Sequence, residues 1–352
     1  MPRFVDSGDS APPIGPDPQN CISIGLINNM PDAALAATER QFTNLIRSAT
    51  PNLIVRLKLF AMPDLPRGDA AHRTLGERYS DISALWDTPL DGLIVTGTEP
   101  RAKNLKDEPY WTSLSKVVDW ARDNTFSTIW SCLAAHAAVL HADGLERRAL
   151  GQKRCGIFDC RLVADHPMTE HFPEPLWVPH SRYNDLPEEA LAACGYKILT
   201  RSAAAGVDTF AKQDGSFFLF FQGHPEYEGD TLLREYRRDV GRFLSGEREH
   251  YPDMPLGYFT PEAAAAAAAF RARALADRQV MLAADFPTNA LEAAPPCQWR
   301  PAALGVYEKW CAFLIARKAE RRSMAPPLHA RPRRTWRDWP LGTRRMADTP
   351  VR

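Results

Sequence analysis

Cys132 lies in "STIWSCLAAHAAVLHADGL", where an apolar run gives way to alanine-rich helical periodicity. A thiol at such a strand-to-helix junction is placed to act as a nucleophile, but it is only weakly ionised near neutral pH without a base. The chain supplies a base and its support in "FFLFFQGHPEYEGD", where an apolar strand ends in Gly223-His224-Pro225-Glu226. An imidazole there can take a thiol proton, and a carboxylate two residues on can fix its tautomer and stabilise its cation. Gly223 permits a tight turn and Pro225 stiffens the link between the two polar residues. The Leu133 amide, just past the thiol, is a natural oxyanion donor, and a second is expected from the turn after "DGLIVTG". Each residue also has an ordinary use. Cys132 can be a small buried hydrophobe, His224 can close the sheet, and Glu226 can favour the start of a helix. Pattern alone leaves both uses open.

The elements that must bring these residues together are visible as apolar runs. "CISIGLI" (21–27), "LIVRLKLF" (53–60), "DGLIVTG" (91–97), "FSTIWS" (126–131) and "SFFLFF" (216–221) are short, and several are continuously apolar, as suits strands buried on both faces. Helical patterns lie between them: "AALAATERQFTNLIRSA", "YWTSLSKVVDWARDN" and "AAHAAVLHADG", the last with Gly144 as its expected C-cap. Strands alternating with helices predict an α/β fold, a three-layer, mostly parallel sheet whose functional groups collect beyond the carboxyl ends of the strands. Residues 254–296 read as an irregular stretch plus a surface helix. "GVYEKWCAFLIARKAERR" reads as a closing helix with Val306, Trp310, Phe313 and Leu314 at helical spacing. The expected organisation is a disordered leader (1–20), one α/β domain with a helical C-terminal extension (21–318), and a basic, Pro- and Arg-rich disordered tail (319–352).

Charge and cysteine usage narrow the class. Lys plus Arg and Asp plus Glu each total 43, so no net charge argues for nucleic acid or an anionic membrane, and the tail's arginines read as a solvated segment. The leader lacks the apolar core of a secretory signal, and no run approaches a membrane span. Seven scattered cysteines fit free thiols in a reducing, cytoplasmic setting. Cys155, Cys160, His166 and His171 form a C-x4-C-x5-H-x4-H run, but its spacing fits no structural zinc site, and no metal is expected.

Five blocks then point further. "IGLINNMP", "DGLIVTGTEP", "DEPYWTSLSKVVDWARDNTFSTIWSCLAAHAAV", "HSRYNDLP" and "GHPEYEGDTLLREYRRDV" resemble, in this order, the blocks of the homoserine O-acyltransferase family of the MetA type. The likeness spans roughly residues 21 to 317. It implies a fold like the class I glutamine amidotransferases, with flavodoxin-like topology. It also implies Cys132 as acyl-accepting nucleophile, His224 as general base and Glu226 as its supporting carboxylate. Lys153 in "GQKRCGIF" and Ser181 in "PHSRYND" fall on substrate-site positions, and Arg238 in "YRRDV" on the arginine that holds the amino-acid carboxylate. Two positions depart from the family pattern. Asp32 stands where a lysine usually follows "MP". Arg101 in "TGTEPRAKN" occupies the position that separates acetyl from succinyl users, where a guanidinium suits a succinyl carboxylate or a CoA phosphate and so favours succinyl over acetyl.

The resemblance implies a ping-pong O-acylation of L-homoserine through a Cys132 thioester, with acyl-CoA as cosubstrate and no bound cofactor. Expected partners are small molecules, neither nucleic acid nor membrane, with a homodimer left open. L-serine, one methylene shorter, is the alternative acceptor, since a pocket rejects such a neighbour by only ~1–3 kcal/mol. Two other readings are weaker. A glutamine amidotransferase-like hydrolase would normally carry glycines around its nucleophile, where "WSCLA" has none. A binding protein with a dead site would have little reason to keep the Cys, His and Glu together.

Overall fold

A computed structural model describes residues 4–5, 20–170, 172, 175–292 and 297–324. Strand β1 (Cys21–Ile27) leads into helix α1 (Asp32–Ala49), followed by β2 (Ile54–Ala61) and β3 (Gly92–Val95). Helix α2 (Trp111–Asn124), β4 (Ser127–Ser131) and α3 (Leu133–Asp143) come next. A long antiparallel pair follows, β5 (Arg148–Leu162) and β6 (Leu176–Asp185), then the hairpin β7 (Thr209–Asp214) and β8 (Ser216–Phe221). Helices α4 (Thr231–Leu244), α5 (Pro261–Ala276) and α6 (Arg300–Met324) follow, and a further helix, Asp69–Arg78, lies between β2 and β3.

The main sheet runs β2-β1-β3-β4-β8 with every neighbour parallel, and β7 follows antiparallel to β8, with the short strand Lys197–Ile198 paired to its far side. Counted along the parallel strands this is the flavodoxin-like order 2-1-3-4-5. Residues alternate between faces as strand geometry requires. Phe218 and Phe220 pack with Trp130, α2 and α3 on one side. Phe217, Leu219 and Phe221 pack with Ile129, α1 and α6 on the other. Three layers result. Helix α3 is buried from Leu133 to Leu140, and its alanines let it lie close to the strands. Helix α6 crosses directly over β3, where a Cβ on Gly92 would meet Leu314 and Trp310 at 2.6 and 2.8 Å.

A second sheet pairs β5 with β6 on one side and with the short strand Thr200–Ser202 on the other, and Gly206–Val207 pairs in turn with Thr200–Ser202. No strand was expected over 148–185. Polar and charged residues interrupt β5 so often that its period of two does not stand out, and a register shift between Ala149 and Arg154 breaks it further. Two other readings differ. Of the leader, Phe4–Val5 forms a short strand parallel to Val55–Arg56 of β2, and most of the rest lies outside the described residues. The closing helix, read as "GVYEKWCAFLIARKAERR", is longer at both ends, Arg300–Met324, with Lys318 buried and donating to Asp91 and to the Cys21 carbonyl at 2.9 Å each. The tail beyond residue 324 lies outside the described residues. No helix among the described residues is long and apolar enough to cross a membrane.

Candidate active site

β4 and β8 are adjacent and parallel, with Phe221 opposite Ser131, so their carboxyl ends deliver Cys132 and the Gly223-His224 turn to the same edge. Cys132 has φ 51° and ψ −113°, and it is the only non-glycine described residue with positive φ. A side chain held in that region costs about 1–3 kcal/mol and persists only where the surroundings impose it. Here the Cys132 N–H donates to the Phe221 carbonyl at 2.7 Å, and the residue caps α3. The sharp elbow leaves the thiol half-buried at the first turn of α3. As first residue of that helix, Leu133 has no carbonyl one turn back for its N–H. Gly97 lies against it: an added Cβ would sit 3.0 Å from the Leu133 nitrogen.

The His224 turn is pinned from behind. The buried Asp208 carboxylate accepts the Gly223 N–H at 3.1 Å, and the Pro179 carbonyl accepts the His224 N–H at 2.8 Å. Gln222 anchors the strand end by accepting from Leu186 N–H at 3.0 Å and donating to the Val207 carbonyl at 2.8 Å. His136, whose imidazole burial holds down at about 3, sits 3.0 Å from the same Gln222 oxygen and stays neutral. His224 Nδ1 is 2.8 Å from Glu226 Oε1, and the ring stacks on Tyr227 with centroids 4.2 Å apart. With Nδ1 so engaged, Nε2 is left for the thiol, and the Cys132 sulfur is near enough to act on the ring's charge. Burial opposes a charge on His224, but Glu226 and the Cys132 sulfur outweigh it and raise its pKa well above the ordinary value. This is an electrostatic setting in which the imidazole readily holds a proton.

The other predicted residues reach the same cleft from the second sheet and from α4. Lys153 (β5), Ser181 (β6) and Arg238 (α4) line it together with Cys132, His224 and Glu226, in an open volume of about 1110 Å³. Lys153 donates to Asp239 at 2.8 Å and lies 3.5 Å from Glu235. Burial works against its charge, but these two carboxylates keep its pKa above the usual lysine value. Ser181 donates to Glu235, as does Tyr227 at 2.6 Å. Arg238 is hydrogen-bonded to its neighbour Asp239 and keeps 40% of its side chain exposed toward the cleft. Burial raises Glu235, yet Lys153, Arg238 and the two hydroxyl donors overcome it and lower its pKa. Glu235 thus ties the triad's flank to the substrate-site residues. It was not anticipated, although Glu235, Arg238, Asp239 and Arg242 share one face of α4 at i, i+3, i+4 and i+7.

Arg101 is not brought in. It is exposed and lines an adjoining hollow that shares Thr98, Glu99, Pro100 and Arg242 with the main cleft, while its own N–H and that of Ala102 donate to Glu108 at 2.6 and 2.7 Å. Asp32 itself is paired with an arginine whose side chain is buried. Arg67, from the loop after β2, donates to the Met30 carbonyl and lies 3.2 Å from Asp32. Cys155 and Cys160 stand five residues apart on β5, an odd spacing that directs them to opposite faces. His171 of the same run lies outside the described residues, and no metal-holding cluster occurs among the described ones.

A doubly wound α/β sheet with a Cys, His and Glu gathered at its carboxyl edge defines the class. The family model for homoserine O-succinyltransferase matches residues 17–321, and the chain belongs to that family, whose members are acyltransferases. It is 50% identical over 305 residues to a homoserine O-succinyltransferase of Methylorubrum extorquens, covering 86% of this chain and 91% of the relative. It is 51% identical over 295 residues to one of Rhodopseudomonas palustris, covering 84% and 89%. Among solved structures, a glutamine amidotransferase from Methylobacillus flagellatus superposes with TM-score 0.46 at 14% identity, over 84% of this chain and 95% of that one.

Proposed function

We propose that the chain transfers a succinyl group from succinyl-CoA to the hydroxyl of L-homoserine in two half-reactions through a Cys132 thioester. The observation that carries this reading is the elbow thiol brought to the same cleft as a buried imidazole that is itself held at 2.8 Å by Glu226. The names of the relatives support the succinyl donor and the homoserine acceptor.

In the first half-reaction the Cys132 thiolate attacks the thioester carbon. The developing oxyanion rests on the Leu133 N–H and an amide of the Gly97–Thr98 turn. The carbon–sulfur bond to CoA breaks, and the imidazolium of His224 gives its proton to the departing CoA sulfur. Exchange of one thioester for another is close to isoenergetic, so no external driving force and no resident cofactor is required. Acylation also removes the sulfur charge that helped hold a proton on His224. The neutral imidazole is then free to act as a base.

In the second half-reaction the homoserine carboxylate lies near Arg238, whose guanidinium fork suits it, with Lys153 and Ser181 flanking the amino-acid site. His224 Nε2 takes the hydroxyl proton. The oxygen–carbon bond forms, the bond to Cys132 breaks, and O-succinylhomoserine leaves as the thiolate–imidazolium pair is restored. Glu226 holds the ring in place through both steps and supports its positive charge. Cys132→Ala tests the reading: covalent labelling by succinyl-CoA and turnover should both vanish. Retention of wild-type turnover in that variant contradicts it.

A further inference from the structure

The basic side chains lining the cleft are Arg147, Lys153, Arg182, Arg238, Arg242 and Arg248. Five of them are already engaged by the chain itself. Arg242 makes a two-pronged contact with Glu99 at 2.6 and 2.9 Å, Arg182 pairs with Asp185 at 2.8 Å, and Lys153 and Arg238 both hold Asp239. Arg248 donates to the Tyr183 hydroxyl at 2.5 Å and lies 3.7 Å from Asp239. Arg147 differs. It enters from the loop between α3 and β5, is half-buried, and has no hydrogen bond or ion pair among the described residues. The acids lining the cleft are likewise spoken for, Glu99 by Arg242, Glu226 by His224, and Glu235 by Lys153, Ser181 and Tyr227.

A half-buried guanidinium without a partner forgoes the hydrogen bonds that stabilise such a group, and a bound anion would supply them. Arg147 lines the same cleft as Cys132, Leu133 and His136, and the Cys132 sulfur is near enough to act on its charge. Its surroundings agree: burial lowers its pKa, while Tyr110, Glu108 and the Cys132 sulfur are close enough to support its charge. Glu108 makes no ion pair with it: one carboxylate oxygen accepts the Arg101 and Ala102 amides, and the other is buried without a hydrogen-bond partner.

Resting on the covalent reading above, we propose that Arg147 is the specificity-determining residue for the acyl group, its guanidinium taking the distal carboxylate of a succinyl chain carried on Cys132. That carboxylate lies two methylenes beyond the reacting carbonyl, within the same part of the cleft. The CoA phosphates are set apart from the thioester by the whole pantetheine arm. The homoserine carboxylate has Arg238. Arg101, the residue that the sequence singles out for this task, faces the adjoining hollow instead.

The test is the first half-reaction alone, without homoserine, followed by intact mass for wild type, Arg147→Met and Arg147→Lys with succinyl-CoA and acetyl-CoA separately. A charge-assisted contact predicts that the ratio of succinylation to acetylation rates falls by about 10- to 100-fold in Arg147→Met, and less in Arg147→Lys. A ratio that stays at the wild-type value overturns the assignment, whether both rates fall together, as for a group that only supports the thiolate, or neither falls. Wild type acylated by acetyl-CoA alone overturns it while leaving the Cys132 thioester standing. Wild type acylated by neither donor removes the covalent reading and this assignment together.

Discussion

Glu226 and Cys132 act on His224 in the same direction, and burial acts against both. Replacing Glu226 by Gln removes the principal support of the imidazolium while keeping a hydrogen-bonding partner for Nδ1. The sign follows directly: a group whose charged form loses support titrates at lower pH. The imidazole of Glu226→Gln is therefore expected to titrate below that of wild type in a histidine NMR titration. The thiolate–imidazolium pair should then be lost at lower pH, so the alkaline limb of the acylation rate moves down. General acid–base catalysis contributes about 10²–10⁴-fold, and a loss of kcat within that range is expected near neutral pH. An unmoved titration would show that Glu226 is only structural. At this scale the sequence was most informative. Cys132, His224 and Glu226 are legible because a strand-to-helix junction and an apolar strand ending in Gly-His-Pro-Glu are local patterns. Arg147, Glu235 and Asp208 were not, because each acquires its role from neighbours far away in the chain.

Two strand ends and one helix face hold the site. The turn after β8 has no room to spare: a Cβ on Gly223 would come within 2.5 Å of Val178 Cγ1, 2.6 Å of Asp208 Oδ1 and 3.0 Å of the Pro179 carbonyl. Gly223→Ala must push the turn off Asp208, and with it the backbone that carries His224. Overpacking of this kind costs about 1–3 kcal/mol, and kcat should fall with stability because the base moves with the turn. Gly151→Ala on β5 is the matched control. Nothing lies within 4 Å of its Cβ position, so urea midpoint and kcat should both stay near wild type. Equal effects at the two glycines would contradict this account of the turn. The five parallel strands were readable as apolar runs because both of their faces are covered. β5 and β6 were not, since their sheet carries charged residues on much of its length and offers no continuous apolar signal.

Across the whole molecule the order 2-1-3-4-5 places the ends of β1, β3, β4 and β8 side by side, and the second sheet and α4 wall the cleft they open. That arrangement follows from alternating strands and helices, and so was foreseeable in outline. The way α6 returns across the sheet, with the Trp310 indole N–H donating to Ser127 Oγ at 2.9 Å, depends on contacts some 180 residues apart that no local pattern records. The central claim is that this framework delivers one thiol to an acyl donor and stores the acyl group there. Intact mass of the full chain after mixing with succinyl-CoA, with peptide mapping, tests it most directly. The account predicts a gain of one succinyl group, located on Cys132, that disappears when L-homoserine is added and O-succinylhomoserine forms. Product formation at full rate with no acylated enzyme, or with the acyl group on another residue, would contradict it.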